Sequence, residues 1–205
     1  MSFLIETQPF PLLNYIKKGI IDKHIIIEQY ETFQKMSFRN RFVIAGANAL
    51  LHLSIPIKGG REQKNLIKEV EIDYATNWNT KFWRSIISSY NSAPYFEYYK
   101  NDVEKLLFLK EKYLLEFNII ILKWVYNTLK TNVLIDLSSS FLKPGSAQND
   151  YRGKTLPKNF QQNGEVVPIY SQVFEDKVGF QPNLSILDLL FCEGPNSLTL
   201  LTKGC

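Results

Sequence analysis

Hydrophobic and polar residues along the chain follow spacings that predict both strands and helices. The apolar run at residues 3–5 and the β-branched run at residues 24–27 are too short for helices and predict buried strands. Between them, the apolar residues from Leu12 to Ile20 have helical spacing. A strand, a short helix and a second strand in such close succession favour a parallel pair in an α/β sheet.

A hairpin and a helical middle third follow in the pattern. Residues 41–44 and 50–57 predict two strands around a turn at residues 46–48, and alternation at residues 70–74 predicts a further short strand. Apolar residues from Trp83 onward have helical spacing, and residues 103–129 continue it as one helix or as two. The predicted fold class is therefore α/β, with a mixed sheet opened by a β-α-β-like unit and a hairpin, and a helical middle third.

The last third is less regular. Residues 138–165 are rich in Ser, Gly, Asn, Gln and Lys and predict a long loop, which in a compact domain is usually functional or mobile. Residues 166–174 are interpreted as a strand and residues 185–191 as a short helix. With 205 residues we expect one domain over residues 1–205. Its parts are a strand-rich region (1–76), a helical region (77–130) and a region of loop, strand and C-terminal helix (131–205).

Composition and charge narrow the class of protein. The chain is 45% hydrophobic and 14% aromatic with a net charge of +4, values typical of a folded globular protein. The basic excess lies in residues 1–68, where an anion-binding surface is favoured over the rest of the chain. Strong nucleic-acid binders usually carry more charge, which argues against that partner. The first residues lack the pattern of a secretory signal and no apolar run reaches the length of a membrane span, so we expect a cytoplasmic protein.

The common catalytic motifs are missing from the sequence. It contains no G-x-S-x-G, no phosphate-binding G-x-x-x-x-G-K-[ST] and no G-x-G-x-x-G after a strand. His24 and His52 stand far apart, without clustered cysteines, so we expect no metal site. No cofactor and no oligomeric state can be inferred from the residues.

A cationic segment after the second strand is the strongest binding candidate. It contains Lys35, Arg39, Asn40 and Arg41, and in an extended chain the two arginines would share a face. Guanidinium groups bind carboxylate or phosphate oxygens in forks, which favours a small anionic molecule such as a nucleotide sugar as partner. The alternative is a surface salt-bridge cluster with acidic residues such as Glu28 or Glu31, which would contribute little to stability.

Several sequence blocks are distinctive in their order and composition. They are Gln8-Pro9, Lys35 to Arg41, Leu53 to Ile57, Trp78 with Trp83, Tyr90 to Tyr99, Asp150-Tyr151-Arg152, and Gly179 to Phe191 with Gly194-Pro195. Together they resemble the WbqC-like protein family, in whose order they fall from about residue 4 to residue 201, and the chain looks like one of the family's shorter members. One departure is Phe82, which stands where the family usually has His before the second tryptophan.

The resemblance implies a role in the synthesis of surface polysaccharides. The family is associated with O-antigen and other lipopolysaccharide genes and with transfer of glycine or other acyl groups onto sugars. A WbqC-like chain is thus expected to be a transferase acting on an amino sugar or a nucleotide sugar. The family supplies no agreed catalytic residue, and if the His were a general base, Phe82 would leave this chain without it.

The remaining candidate site residues come from the second half of the chain. Arg152 would reach the site from the long loop, and Tyr170 with Gln172 share one face of a predicted strand. Asn183 opens the late helix, where helix capping and ligand contact are equally good interpretations. The general base is unassigned, with Glu28 and Asp188 as the candidates.

Two other classes of function remain open beside the transferase. Because no nucleophile–base pair is evident, the chain could be a non-catalytic binding module for an anionic metabolite or a partner protein. Phenylalanines also alternate with the cations of residues 33–42, a pattern found in single-stranded RNA binding.

Overall fold

The computed structural model describes residues 2–145, 149–162 and 166–203. Parts of the predicted loop, at residues 146–148 and 163–165, therefore lie outside the described residues. In chain order the elements are β1 (Ser2–Ile5), α1 (Leu13–Asp22), β2 (His24–Ile27), β3 (Arg41–Ala45), β4 (Leu50–Ser54), α2 (Trp78–Tyr90), α3 (Phe96–Leu107), α4 (Leu114–Thr128), β5 (Leu134–Leu137), α5 (Glu175–Val178), α6 (Ile186–Glu193) and α7 (Ser197–Thr202). Single 3₁₀ turns lie at Ile67–Glu69 and Gly194–Asn196.

A three-stranded parallel sheet carries the β-α-β unit that the sequence predicts. Its strand order is β1-β2-β5, with β2 in the centre. Lys23 ends α1 in a left-handed conformation (φ 58°) and donates its backbone N–H to the carbonyl of Gly19 at 2.8 Å. This turn directs the chain immediately into β2, whose Ile25 and Ile27 are fully buried.

Gly19 also sets how closely α1 approaches α4. A Cβ atom at this position would overlap the hydroxyl and ring of Tyr126 and lie 2.9 Å from Cδ1 of Ile25. Only glycine leaves room for this contact, so the helix that crosses over the sheet depends on a residue without a side chain.

The predicted hairpin is confirmed, and it stands apart from the parallel sheet. β3 and β4 pair antiparallel from Arg41 opposite Ser54 to Ala45 opposite Leu50. Within the described residues they form a separate two-stranded sheet. The α/β class is therefore confirmed, with its parallel and antiparallel pairings in two sheets. The backbone N–H of Ser185 donates to the carbonyl of Val43 at 2.9 Å and ties β3 to the start of α6.

The structure separates the predicted elements into those that form and those that do not. Residues 103–129 form two helices, α3 and α4, which is the second of the two expected arrangements. Residues 70–74 make only isolated bridges, at Glu71 and Ile72, and residues 166–174 form no strand although all of them are described. Backbone groups in that last segment have no neighbouring strand to pair with, and its side chains hold it in place instead.

The buried core joins both sheets to the helices. α6 lies at its centre, with every residue from Ile186 to Cys192 buried, and it packs against α1, α3 and β3. Tyr95 N–H donates to the carbonyl of Phe191 at 2.9 Å, so the start of α3 is held on α6. No helix in the described parts of the chain has the length and apolar character needed to span a membrane.

Candidate functional site

Polar residues follow each strand of the parallel sheet at its carboxyl end. Glu6 follows β1, Glu28 follows β2 and Ser138 follows β5. Glu28 N–H donates to the carbonyl of Ile5 at 3.0 Å and Ser138 N–H to that of Ile27 at 2.9 Å, so the ladder extends by one residue and the three lie in a row. Open parallel sheets bind ligands outside this edge, which makes the row a candidate site.

A segment within the predicted long loop brings an arginine to the same edge. Asp150 forms a parallel bridge to Leu4, and Tyr151 N–H donates to the Leu4 carbonyl at 2.8 Å, so the segment runs beside β1. Arg152 then forms two hydrogen bonds with Asp150, from Nε at 3.0 Å and from Nη2 at 2.6 Å. Its Nη1 donates to the carbonyl of Leu142 at 2.8 Å and lies 3.6 Å from Oε2 of Glu28.

A second arginine is buried beside this row. Arg39 is 0% exposed and forms a fork with Glu31, from Nε to Oε1 and from Nη2 to Oε2, both at 2.7 Å. Asn118 donates to the backbone carbonyl of Arg39 at 2.9 Å. Burial alone would lower the pKa of Arg39, but the hydrogen bonds to Glu31 and the charges of Glu6 and Glu31 raise it, so the group stays cationic.

One nitrogen of this guanidinium has no acceptor within the described parts of the chain. Nη1 of Arg39 is buried and makes no hydrogen bond with any described residue. An unsatisfied buried donor costs about 1–3 kcal/mol, and more when it is charged. A fork that occupies Nε and Nη2 holds the guanidinium plane in place, so Nη1 is oriented before any ligand arrives.

Arg39 and Arg152 line a common cavity of about 270 Å³, which we call the carboxyl-edge cavity. It is lined by Glu31, Thr32, Gln34, Arg39, Phe141, Pro144, Arg152 and Gly153. The volume suits a small polar molecule or one group of a larger ligand. A carboxylate, phosphate or carbonyl oxygen is the kind of acceptor that the unpaired Nη1 of Arg39 lacks.

Glu6 lies between this cavity and a much smaller one. It is 1% exposed, and its Oε2 accepts a hydrogen bond at 3.0 Å from the backbone N–H of Gly153 in the wall of the carboxyl-edge cavity. On the other side it lines a cavity of about 20 Å³ together with Tyr15 and Lys18. Burial raises the pKa of Glu6, against the opposing charge of Arg39.

A comparison with known protein families identifies the family of this chain. The model of the WbqC-like protein family matches residues 8–159, which is more than half of the chain. The chain belongs to the WbqC-like protein family. The matched range contains Glu28, Glu31, Arg39 and Arg152 and ends before residues 179–195, so those late residues carry a resemblance that the family match does not cover. No curated protein and no solved structure matches the chain.

Glu28, one of the two candidate bases, is part of the row in this family member. Its Oε1 accepts from Tyr30 N–H at 2.8 Å and from the Ser138 hydroxyl at 2.7 Å, and its Oε2 accepts from Leu142 N–H at 2.9 Å. It is fully buried. These contacts join the ends of β2 and β5 to the segment at Leu142 that also receives Arg152, so Glu28 positions one wall of the cavity.

Asp188, the other candidate base, belongs to a different buried group. Its carboxylate accepts from the hydroxyls of Tyr90 at 2.7 Å and Tyr170 at 2.6 Å, and from Nε2 of Gln172 at 2.9 Å. Burial raises the pKa of Asp188, although all three donors oppose that shift. The predicted residues Tyr170, Gln172 and Asp188 thus come together, and their bonds hold residues 170–172 against α6 in place of a strand ladder.

The other predicted residues make separate contacts. Lys35 forms an exposed ion pair with Glu62, and Asn40 donates to the Ile55 carbonyl at 2.8 Å. The half-buried Arg41 donates from Nε to the Ser54 hydroxyl at 2.7 Å, on the hairpin. Asn183 has a left-handed backbone (φ 56°); it accepts from the backbone N–H of Asn14 and donates to the carbonyl of Phe160.

The expectation that Arg39 and Arg41 share one face assumes an extended segment. Residues 35–40 instead form two turns joined by a bend, and β3 begins only at Arg41. Alternation therefore does not apply. Arg39 turns into the interior and pairs with Glu31 there. From the sequence, Glu31 is expected only as a salt-bridge partner at the surface.

Glu6, Glu31 and Ser138 were not predicted as site residues. The signal for Glu6 was present, because β1 and β2 are predicted as a parallel pair and a carboxylate follows each of them. Ser138 depends on β5, which the sequence pattern does not predict. Glu31 depends on the turns at residues 35–40, which only the folded chain shows.

Proposed function

We propose that the protein is an acyl or aminoacyl (glycine-type) transferase of surface polysaccharide biosynthesis, whose carboxyl-edge cavity holds an anionic group of a nucleotide sugar or of the acyl donor. Membership of the WbqC-like family supports the reaction class. One observation carries the location: Arg39 lines a cavity, and its buried Nη1 finds no acceptor among the residues that the structure describes.

The binding step is argued from the charge and burial of Arg39. In a site with little water, a hydrogen bond between a guanidinium and an anion is stronger than at the surface. Glu31 holds the group in place, so little side-chain entropy is lost when the ligand binds. Arg152 adds a second positive charge on the cavity wall, already oriented by Asp150.

The chemistry would be attack by a sugar amine on an activated acyl group such as a thioester. The C–N bond forms as the bond to the thiolate breaks, and one proton passes from the amine to a base. Of the two candidate bases, Glu28 lies in the row at the cavity and Asp188 lies in the Tyr90–Tyr170 group. Glu28 is therefore the candidate that we place nearer to the reaction.

A product assay tests the proposal. The protein is incubated with amino-sugar nucleotides and either acyl-CoA thioesters or amino acids with ATP, and the sugar is analysed by mass spectrometry. With the wild-type protein, we expect the mass of the sugar to increase by one acyl group. Arg39→Lys should not produce this increase, because an ammonium cannot reproduce the fork. Arg61→Lys is the matched control, since Arg61 is 79% exposed and should leave the activity unchanged. Absence of product with every donor would contradict the transferase.

One observation favours the second candidate, a binding module without turnover. Among the described residues that line the carboxyl-edge cavity, neither Glu28 nor Asp188 is present. Both carboxylates are fully buried and accept several hydrogen bonds, which would hinder proton transfer. Stable binding of an anionic ligand that needs Arg39, with no chemically altered product, would support this function instead.

A further inference from the structure

At the carboxyl-edge site, two carboxylates act on the guanidinium of Arg39. Glu31 occupies Nε and Nη2 of Arg39, and Glu6 interacts electrostatically with the same group. Glu6 is anchored by the backbone N–H of Gly153, which lies in the wall of the cavity. The single positive charge of Arg39 is therefore already balanced by Glu31, and an ionised Glu6 would be a second negative charge on it.

The surroundings of Glu6 offer little further compensation. On the side of the small cavity it meets Tyr15, Lys18 and Tyr151. Lys18 is bound to Asp22 at 2.8 Å, so its charge is shared. Along the sheet the neighbouring position is Glu28, a further carboxylate, and Arg152 is held by Asp150.

We propose that an anion binds to Arg39 together with one proton, which the carboxylate of Glu6 takes up. The proposal uses the anion site of the proposed function and requires no turnover. When an anionic oxygen accepts from Nη1, Arg39 is shared among three negative groups in a buried place. Protonating Glu6 removes one of those charges. Glu31 and Asp150 are each held in a fork with an arginine. Glu28 accepts three hydrogen bonds as a carboxylate, so Glu6 loses its charge at the lowest cost.

Proton uptake follows from thermodynamic linkage. In the protein without a bound anion, burial already raises the pKa of Glu6. A bound anion would raise that pKa further. Between the two values the affinity for the anion should fall by up to about tenfold per pH unit as the pH rises. Below the lower value and above the higher one the affinity should be constant.

Calorimetry with sulfate measures this directly. Sulfate keeps the same charge from about pH 5 to about pH 8, so any change in affinity over that range comes from the protein. Titrations in two buffers with different ionisation enthalpies give the number of protons taken up, and the wild-type protein alone provides this number. Glu6→Gln, which mimics the protonated carboxyl, is compared with Glu62→Gln, an exposed carboxylate paired with Lys35.

The expected result is uptake of up to about one proton per sulfate by the wild-type protein and by Glu62→Gln, with affinity that weakens as the pH rises. Glu6→Gln should bind with little pH dependence and no proton uptake. A pH-independent affinity in the wild type, an unchanged slope in Glu6→Gln, or no binding of sulfate would overturn the proposal. Proton-linked binding without acyl transfer would refute only the proposed reaction, whereas acyl transfer without linked protons would refute only the role of Glu6.

Discussion

Replacing Arg39 with methionine should destabilise the protein strongly, because Glu31 would keep a buried charge with no partner. Breaking a buried ion pair by removing one member costs about 3–5 kcal/mol. Both members of this pair are almost completely buried, and the fork is short at 2.7 Å for each bond. For a chain of this length the loss corresponds to a fall in Tm of roughly 6–20 °C.

The double variant Arg39→Met with Glu31→Leu separates the ion pair from the packing. Replacing a whole buried pair with apolar residues of similar volume is often neutral or stabilising. We therefore expect the double variant to recover most of the stability lost by Arg39→Met. The assay is urea unfolding followed by circular dichroism for the wild type, both single variants and the double variant.

Two results would refute this reasoning. A loss of less than about 1 kcal/mol in Arg39→Met would show that the pair is accessible to water and behaves like a surface salt bridge. A double variant whose loss equals the sum of the two single losses would show that Arg39 and Glu31 are not coupled.

Three further predictions follow from individual contacts. Gly19→Ala should lower the free energy of unfolding by about 1–3 kcal/mol, because the added Cβ would overlap the hydroxyl of Tyr126. Adding Tyr126→Phe should restore part of the lost stability, and urea unfolding measures both variants. Tyr90→Phe removes one donor from Asp188 and should cost about 1–3 kcal/mol in the same measurement, with no loss arguing against the buried group. Because the pKa of Glu6 is raised on folding, the folded protein holds its proton to higher pH than the unfolded chain, and stability should fall as the pH rises from about 4.3 through the folded pKa. Thermal melts at a series of pH values should show a smaller fall in Tm for Glu6→Gln than for the wild type. Identical dependence of Tm on pH in the two proteins would refute this prediction.

The parts of the fold that sequence predicts are those with strong local patterns. The β-branched run of β2 and the alternating residues of β4 have fully or partly buried faces, and short buried strands are visible in a sequence for that reason. β5 is the opposite case. It is an edge strand with Leu134 and Leu137 exposed, so its pattern gives no regular alternation and it was missed.

The residues of the candidate site also include some that residue type and position predict and some that depend on the folded chain. Glu28, Arg39 and Arg152 were predicted from residue type and position, and the structure brings them to one edge of the sheet. Arg41 was predicted on the same grounds and lies on the hairpin, because its partner Ser54 depends on strand pairing rather than on residue type.

The turns before Arg39 explain why its partner could not be read from sequence. Met36 has a left-handed backbone (φ 54°), and the Ser37 hydroxyl donates to the carbonyl of Gln34 at 2.6 Å. These contacts reverse the chain and direct Arg39 back towards Glu31. No spacing rule for strands or helices describes such a reversal.

The central claim is that Nη1 of Arg39 receives an anion, and a crystal structure of the protein with sulfate tests it most directly. The account predicts sulfate in the carboxyl-edge cavity, with an oxygen about 2.7–2.9 Å from Nη1 of Arg39. Sulfate bound elsewhere, for example at Lys35 or Arg41, with the carboxyl-edge cavity holding none, would contradict it.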